Sequence, residues 1–296
     1  MHLRPLRIGE ILDGAVRLYR DNFVPFVLMT AAVYLPFYVL VYLLVGTLSP
    51  RVNLPEIASQ AGGLSSLLFF FTAYPLGSGM LAYAASEHVL GRTVRVGDAL
   101  RRMLGHATTL LAVVFLLVLS VSAILGTTVL LFVAPMAAGA LVPGFLPGAV
   151  AIAALAAAAA LVAIVLIYVR WQLFPQAVVV ERLGAVASLQ RSWRLTAGFG
   201  WKAFAILLLL SLLISVVQVA AVAVGTLALR FAAVGVRTED VAGAGQLLYA
   251  LIGVVLEPMR MAGMTLLYYD LRVRKEGLDL QILARDLRRG APEVAG

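Results

Sequence analysis

Cysteine is absent from the 296 residues, which excludes disulfides, thiolate metal sites and cysteine nucleophiles. Charge is scarce as well: Asp, Glu, Lys and Arg together make up 13%, against about a quarter in an ordinary soluble domain. Lysine is nearly missing, with Lys202 and Lys275 the two among 23 basic residues, so arginine carries the positive charge. The histidines, His2, His88 and His106, stand outside any HExxH pattern or carboxylate cluster, and neither a metal nor a cofactor is expected. Gly243-Ala244-Gly245 lacks the third glycine and the preceding strand of a dinucleotide loop, and Gly77-Ser78-Gly79 lacks the spacing of a nucleophile elbow. Ser211 and Ser215 read as hydroxyls bonded to the preceding helical turn. No nucleophile and base stand together, so no catalytic residue is assigned.

What fills the chain instead is apolar: 62% of its residues are hydrophobic, the composition of an integral membrane protein. Six stretches, roughly 24–46, 64–86, 108–133, 149–169, 203–229 and 244–269, reach the ~20 residues that cross ~30 Å of hydrocarbon as an α-helix. The first follows a charge-rich segment and is longer than a signal-peptide core of about 7–15 residues, so it is expected to persist as a span. Prolines and glycines mark 48–63 and 134–148 as external loops. No connection is long enough for a second domain, and 1–296 reads as one all-α polytopic membrane bundle.

A short motif precedes spans one, three and five. Arg7-Ile8-Gly9-Glu10 returns 88 residues on (7 to 95) as Arg95-Val96-Gly97-Asp98, and 87 further on (95 to 182) as Arg182-Leu183-Gly184-Ala185. Near-equal periods mark repeated units, here about 7–94, 95–181 and 182–276, followed by a tail over 277–296. Each unit reads as a basic amphipathic elbow helix, a span and a return span. In the first elbow Ile8, Ile11, Leu12, Ala15, Tyr19 and Phe23 share a helical face, opposite Glu10, Asp13, Arg17, Arg20 and Asp21, with Asp13–Arg17 and Arg17–Asp21 spaced as i,i+4 pairs. The second opposes Val96, Ala99, Leu100 and Met103 to Asp98, Arg101 and Arg102. In the third, Val186, Leu189 and Trp193 face away from Ser188, Arg191 and Ser192.

Nineteen of the 23 basic residues fall on the elbow side of the spans, against Arg51, Arg230 and Arg237 opposite and Arg260 within a span. That bias predicts cytoplasmic termini in the plasma membrane. Arginine flanking apolar spans suits anionic phospholipid rather than nucleic acid. Arg17, Arg20, Arg101, Arg102, Arg191, Arg194, Arg272, Arg274 and Lys275 make the candidate surface for lipid, or for a membrane or cytoplasmic protein partner. The last three equally suit pairing with Glu10 or Asp13. Tyr268 and Tyr269 read as interfacial aromatics.

Within the bundle, Pro36, Pro75 and Pro258 interrupt spans one, two and six, and the glycines after Pro75 make span two the most deformable. Ala149, Ala153, Ala157 and Ala160 give span four a small-residue packing face. Glu257 and Arg260 lie one turn apart near mid-span, with Gln218 as a further partner. Ionisable groups at that depth cost about 2.5–3.5 kcal/mol each on insertion scales and mark a functional site by default. The alternative is a self-neutralised pair that fixes helix packing.

Three blocks, RPLRIGEILDGAVRLYRDNF, VVVERLGAVASLQRSWRLTAG and TLLYYDLRVRKEGLDL, resemble bacterial six-span proteins of the glycerophosphoryl diester phosphodiesterase membrane-domain family. The likeness spans nearly the whole chain and keeps the order of the blocks. The matching residues include Glu10, Asp13, Arg17, Tyr19, Arg191, Ser192, Trp193, Arg194, Tyr268, Asp270, Arg272, Arg274 and Glu276. The resemblance implies a six-span fold. It does not imply phosphodiesterase activity, which belongs to a separate soluble barrel fused to the membrane part in some relatives, and for which these residues leave no room.

These readings lead to a non-catalytic scaffold or regulatory module at anionic lipid, with a transporter or lipid permease using Glu257 and Arg260 as the alternative. The topology has a direct check in a cysteine-free chain. Ser49→Cys and Thr238→Cys are expected to react with an impermeant maleimide in intact cells and Thr93→Cys to stay unlabelled; the reverse pattern overturns the orientation.

Overall fold

The computed structural model describes residues 4–48, 66–142, 144–232, 238–278 and 280–281. Most of the predicted loop 48–63 and the tail from 282 lie outside them. In chain order the elements are α1 (Ile8–Asp21), α2 (Phe23–Leu48), a helical turn over 66–71, α3 (Ala73–Val89), α4 (Val96–Leu104), α5 (Ala107–Leu141), α6 (Leu146–Trp171), α7 (Phe174–Val179), α8 (Ala185–Thr196), α9 (Gly200–Ala232) and α10 (Thr238–Glu276). No strand occurs among the described residues. Six helical stretches are long and apolar enough to cross a membrane: Phe23–Val41, Ser66–Val89, Ala107–Leu141, Leu146–Val179, Gly200–Phe231 and Leu247–Glu276. The protein is an all-α, multi-pass membrane bundle.

The three short basic stretches fold as α1, α4 and α8, each leading into a long span. In α1, Ile11 and Ala15 are fully buried while Asp13, Arg17 and Arg20 are exposed. Glu10 caps its start, accepting the Arg7 N–H at 2.7 Å and pairing with Arg4 at 2.6 Å. The Arg7 amide, then Arg4, hold its carboxyl below the usual carboxylate range. Because that pKa is depressed on folding, the cap's contribution is present above the unfolded value and fades as pH falls through the folded one. The expected Asp13–Arg17–Asp21 ladder does not form; Asp21 pairs with Arg20 at 3.3 Å, the neighbour that shares its solvent-facing side.

Elbow α8 buries Leu189 as predicted but departs from the rest of the predicted faces. Ser188 and Ser192 are fully buried, whereas Val186 and Trp193 are 58% and 44% exposed. The reason is a break in the fourth span between α6 and α7. Ser192 Oγ accepts the Leu173 N–H at 3.1 Å and donates to the Arg170 carbonyl at 2.7 Å, completing backbone bonds that the broken turn cannot make internally. Small hydroxyls therefore face inward. Leu189 and Leu195 share that inward side, while Val186 and Trp193 face outward, as suits a helix beside lipid rather than water.

The core sits at the elbow end, around α3 and the inner half of α10. Met80, Leu81, Ala82, Ala84 and Ala85 of α3 and nearly every residue from Pro258 to Val273 of α10 are buried. The outer stretches of α5 and α9 instead present large apolar side chains such as Leu130 and Val224 to the surroundings. Lipid tails give no hydrophobic reward for helix contact, so close packing must come from small residues. A Cβ on Gly263 would lie 2.4 Å from Leu210, on Gly79 2.5 Å from Leu110, and on Gly77 2.3 Å from the Tyr34 ring.

Span two is thus tightly held rather than deformable. Pro75 lies in the first turn of α3, where its missing N–H would have no helical partner in any case. Pro36 and Pro258 are interior, and so is Pro135. The last of these corrects the predicted loop over 134–148: Ala and Met after Pro135 continue α5, and Gly139 meets Leu146 and Ala149 of α6 at 3.2 Å from a would-be Cβ. The small-residue face of α6 comprises Ala149, Ala153 and Ala160, with Ala157 exposed.

Gly77→Ala is expected to cost about 1–3 kcal/mol by overpacking and to lower the thermal unfolding midpoint in detergent. Gly97→Ala, with open space around its Cβ position, is expected to leave it unchanged.

Candidate functional site

Two polar assemblies lie on α10. The first occupies its elbow end. Asp270, with no exposed side-chain area, accepts the Leu6 N–H at 2.6 Å, pairs with Lys202 at 2.5 Å and receives Arg274 Nε at 3.0 Å. Lys202 and Arg274 close the circuit on the Leu6 carbonyl at 2.7 and 2.8 Å. One carboxylate thereby joins the N-terminal segment, the start of α9 and α10.

About one turn away, Arg191 of α8 forks onto Glu181 (2.7–3.0 Å) and onto Glu276, reaching Glu276 Oε2 at 2.9 Å. Arg272 donates to Glu276 at 3.1 Å, forms a looser ion pair with Glu181 at 3.8 Å and lies over the Tyr268 ring, whose hydroxyl donates to Glu181. The bonds to Glu276, then to Glu181, hold the Arg191 charge more firmly than water does, against the opposing effect of desolvation. Further along, Tyr19 of α1 donates to the Val255 carbonyl at 2.7 Å, in the turn before Pro258, and burial pushes that phenol up to about 12.

This assembly redistributes the predicted basic surface. Arg191 and Arg272 are drawn to the half-buried Glu181 and Glu276, Arg274 reaches from the surface to the buried Asp270, and Lys275 donates to the Arg194 carbonyl at 2.5 Å. Neither Glu10 nor Asp13 takes part. Tyr268 and Tyr269 are buried, 0% and 3% exposed, and are packing groups rather than interfacial anchors. Arg102 reaches the Val179 carbonyl at 3.3 Å and covers the Tyr83 ring. Arg17, Arg20, Arg101 and Arg194 remain outward; among the described residues Arg17, Arg101 and Arg194 have no carboxylate within 4 Å.

The second assembly lies deeper. Arg260 Nε meets Glu257 Oε2 at 3.1 Å, its Nη2 meets Oε1, and Nη2 also donates to the Tyr74 hydroxyl at 3.0 Å. About eleven residues, or ~17 Å of helix, separate Glu257 from Tyr268. Gln218 is not a member: it donates to the Tyr249 carbonyl at 2.9 Å, two turns outward, because Gly253 brings α9 against α10 there. Tyr74 and Tyr34, absent from the sequence-based site, complete it. No sequence signal separates them from other aromatics in apolar runs. Among the described residues no group of three or more His, Asp or Glu is placed to hold a metal.

A family model matches residues 6–271. The chain belongs to the family described as a domain of unknown function, DUF7847. No curated protein and no solved structure matches it. The DUF7847 match starts at Leu6 and ends one residue past Asp270, the two residues whose bond closes the bundle.

Asp270→Asn is expected to destabilise the protein by about 3–5 kcal/mol, because it leaves Lys202 buried without its counter-charge. Combining it with Lys202→Met is expected to recover part of the loss in a thermal-unfolding double-mutant cycle. Strict additivity would contradict the pairing.

Proposed function

We propose that the protein is a non-catalytic scaffold or regulatory module of the plasma membrane, whose elbow side is cytoplasmic and gathers anionic phospholipid. The observation that carries this reading is the division of labour among arginines. Arg191, Arg272 and Arg274 are consumed by internal carboxylates, while Arg17, Arg101 and Arg194, one on each elbow, point outward without a carboxylate partner. Exposed apolar groups flank them, among them Trp193 and Trp201 at 44% and 78% exposure. Arginine beside tryptophan at the end of a span is the composition of a headgroup-level surface. Nineteen basic residues on the elbow side against three opposite support the orientation. Kinship with the glycerophosphoryl diester phosphodiesterase membrane domains is part of the same proposal. Of the residues that carry the resemblance, Tyr19, Arg191, Ser192, Tyr268, Asp270, Arg272, Arg274 and Glu276 make internal hydrogen bonds or ion pairs, a structural role that needs no catalysis.

A second reading, transport of a solute or lipid, is favoured by the Glu257–Arg260 pair inside the span. Flux in proteoliposomes that depends on Glu257 would support it.

Native mass spectrometry of the gently extracted protein tests the first reading. Wild type is expected to retain phosphatidylglycerol. The triple variant Arg17→Ala/Arg101→Ala/Arg194→Ala is expected to bind it roughly a hundredfold more weakly, from about 1 kcal/mol per arginine. Equal lipid retention in both, or a stoichiometric protein in place of lipid, would overturn the lipid surface.

A further inference from the structure

Glu257 and Arg260 belong to one helix, one turn apart, so their ion pair joins no two elements. Arg260 contributes to packing only through Tyr74 of α3. What the pair does chemically is occupy a guanidinium fork: the two carboxylate oxygens of Glu257 sit on Nε and Nη2 as an external carboxylate or phosphate would. Beside the fork stands a donor with nothing to donate to. The Tyr34 hydroxyl is buried, its residue 2% exposed, and among the described residues it has no hydrogen-bond partner. It lies over Gly77, one turn along α3 from Tyr74, and its ring packs with Ala73 of α3 and Val254 of α10, the latter one turn before Glu257. Buried polar groups are normally satisfied, and this phenol, on the helix next to the Tyr74 that holds Arg260, is a donor still without an acceptor.

We propose that this cluster is a binding site for a monovalent oxyanion, a carboxylate or a phosphodiester, which displaces Glu257 from Arg260 as Glu257 takes up one proton. The balance of charge requires that coupling. With Glu257 ionised, an incoming anion would add a second negative charge to a site that holds one cation. The titratable groups near Glu257 are Arg260 on α10, Tyr34 and Tyr38 on α2 and Tyr74 on α3, with Tyr168 of α6 beyond Arg260 and Tyr249 of α10 beyond Tyr38. None is a second cation. Once protonated, Glu257 departs as a neutral acid, the anion takes its place on Nε and Nη2 of the still cationic Arg260, and Tyr34 donates to the anion. The net charge of the site is unchanged, which is what a low-dielectric environment demands of a buried pair.

The inference rests on the second reading only in treating the pair as a ligand site. Anion binding without flux would end the transport reading and leave this one standing.

The test is calorimetric titration of the full-length protein in detergent with acetate and with dimethyl phosphate, neither of which titrates between pH 6 and 8. Affinity for at least one is expected to rise about tenfold per unit fall in pH, the signature of one proton taken up per anion. Which probe binds distinguishes a carboxylate solute from a phosphodiester headgroup. Glu257→Gln, a neutral stand-in for the protonated acid, is expected to bind with no pH dependence. Tyr34→Phe is expected to unfold at the wild-type temperature, since it removes an unpartnered hydroxyl, yet to bind about tenfold more weakly. Failure of both anions to bind, pH dependence that survives in Glu257→Gln, or undiminished binding in Tyr34→Phe overturns the proposal. If Glu257→Gln does not fold, Tyr34→Phe alone decides.

Discussion

A carboxylate without water must be neutralised by the protein itself, and Asp270 imposes that requirement on the whole bundle. Its side chain has no exposed area and draws in Lys202 and Arg274 as counter-charges and the Leu6 amide as a donor. Those partners come from places far apart in sequence. The N-terminal segment at Leu6, the head of α9 and the inner end of α10 converge because the carboxylate has no cheaper way to be buried. The Glu181–Arg191–Glu276–Arg272 circuit extends the same logic to α8 and the α7–α8 turn.

With the elbow end closed by charge, the rest of the bundle is free to be simple. Helices approach one another through Gly77, Gly79 and Gly263, where a Cβ would collide with Tyr34, Leu110 and Leu210. Away from the elbows α5 and α9 expose their leucines and valines, as surfaces bathed in lipid tolerate. The structure thus divides by depth: a charged and tightly packed base, and outer helices that mainly span.

That division accounts for what could be read from the sequence. Composition and run length were enough for six spans, since hydropathy reports directly on the solvent a helix meets. The elbows were legible because α1 and α4 bury an apolar face of ordinary helical period. Elbow α8 was legible as a helix but not in its inward serines, because that face serves a broken backbone at Leu173 through Ser192, and hydropathy has no term for a hydroxyl that satisfies another helix's amide. Arg191 and Arg272 were taken for a lipid surface for a related reason: a charge that pairs with Glu181, some ten to ninety residues distant in sequence, looks the same in one dimension as a charge in water. Glu257 and Arg260 were legible as a pair by spacing alone. Their tyrosine partners depend on how α2 and α3 stack, which spacing does not report.

The elbows are therefore parts of the folded base, not loose amphipathic arms, and that is the claim on which the lipid surface and the orientation of its arginines depend. Hydrogen–deuterium exchange of the full-length protein in nanodiscs measures it directly. Docked elbows predict that the amides of α1 and α8 exchange nearly as slowly as those over 258–276, because all open only when the charged base does. Rapid exchange throughout α1 and α8, with 258–276 still protected, would contradict it.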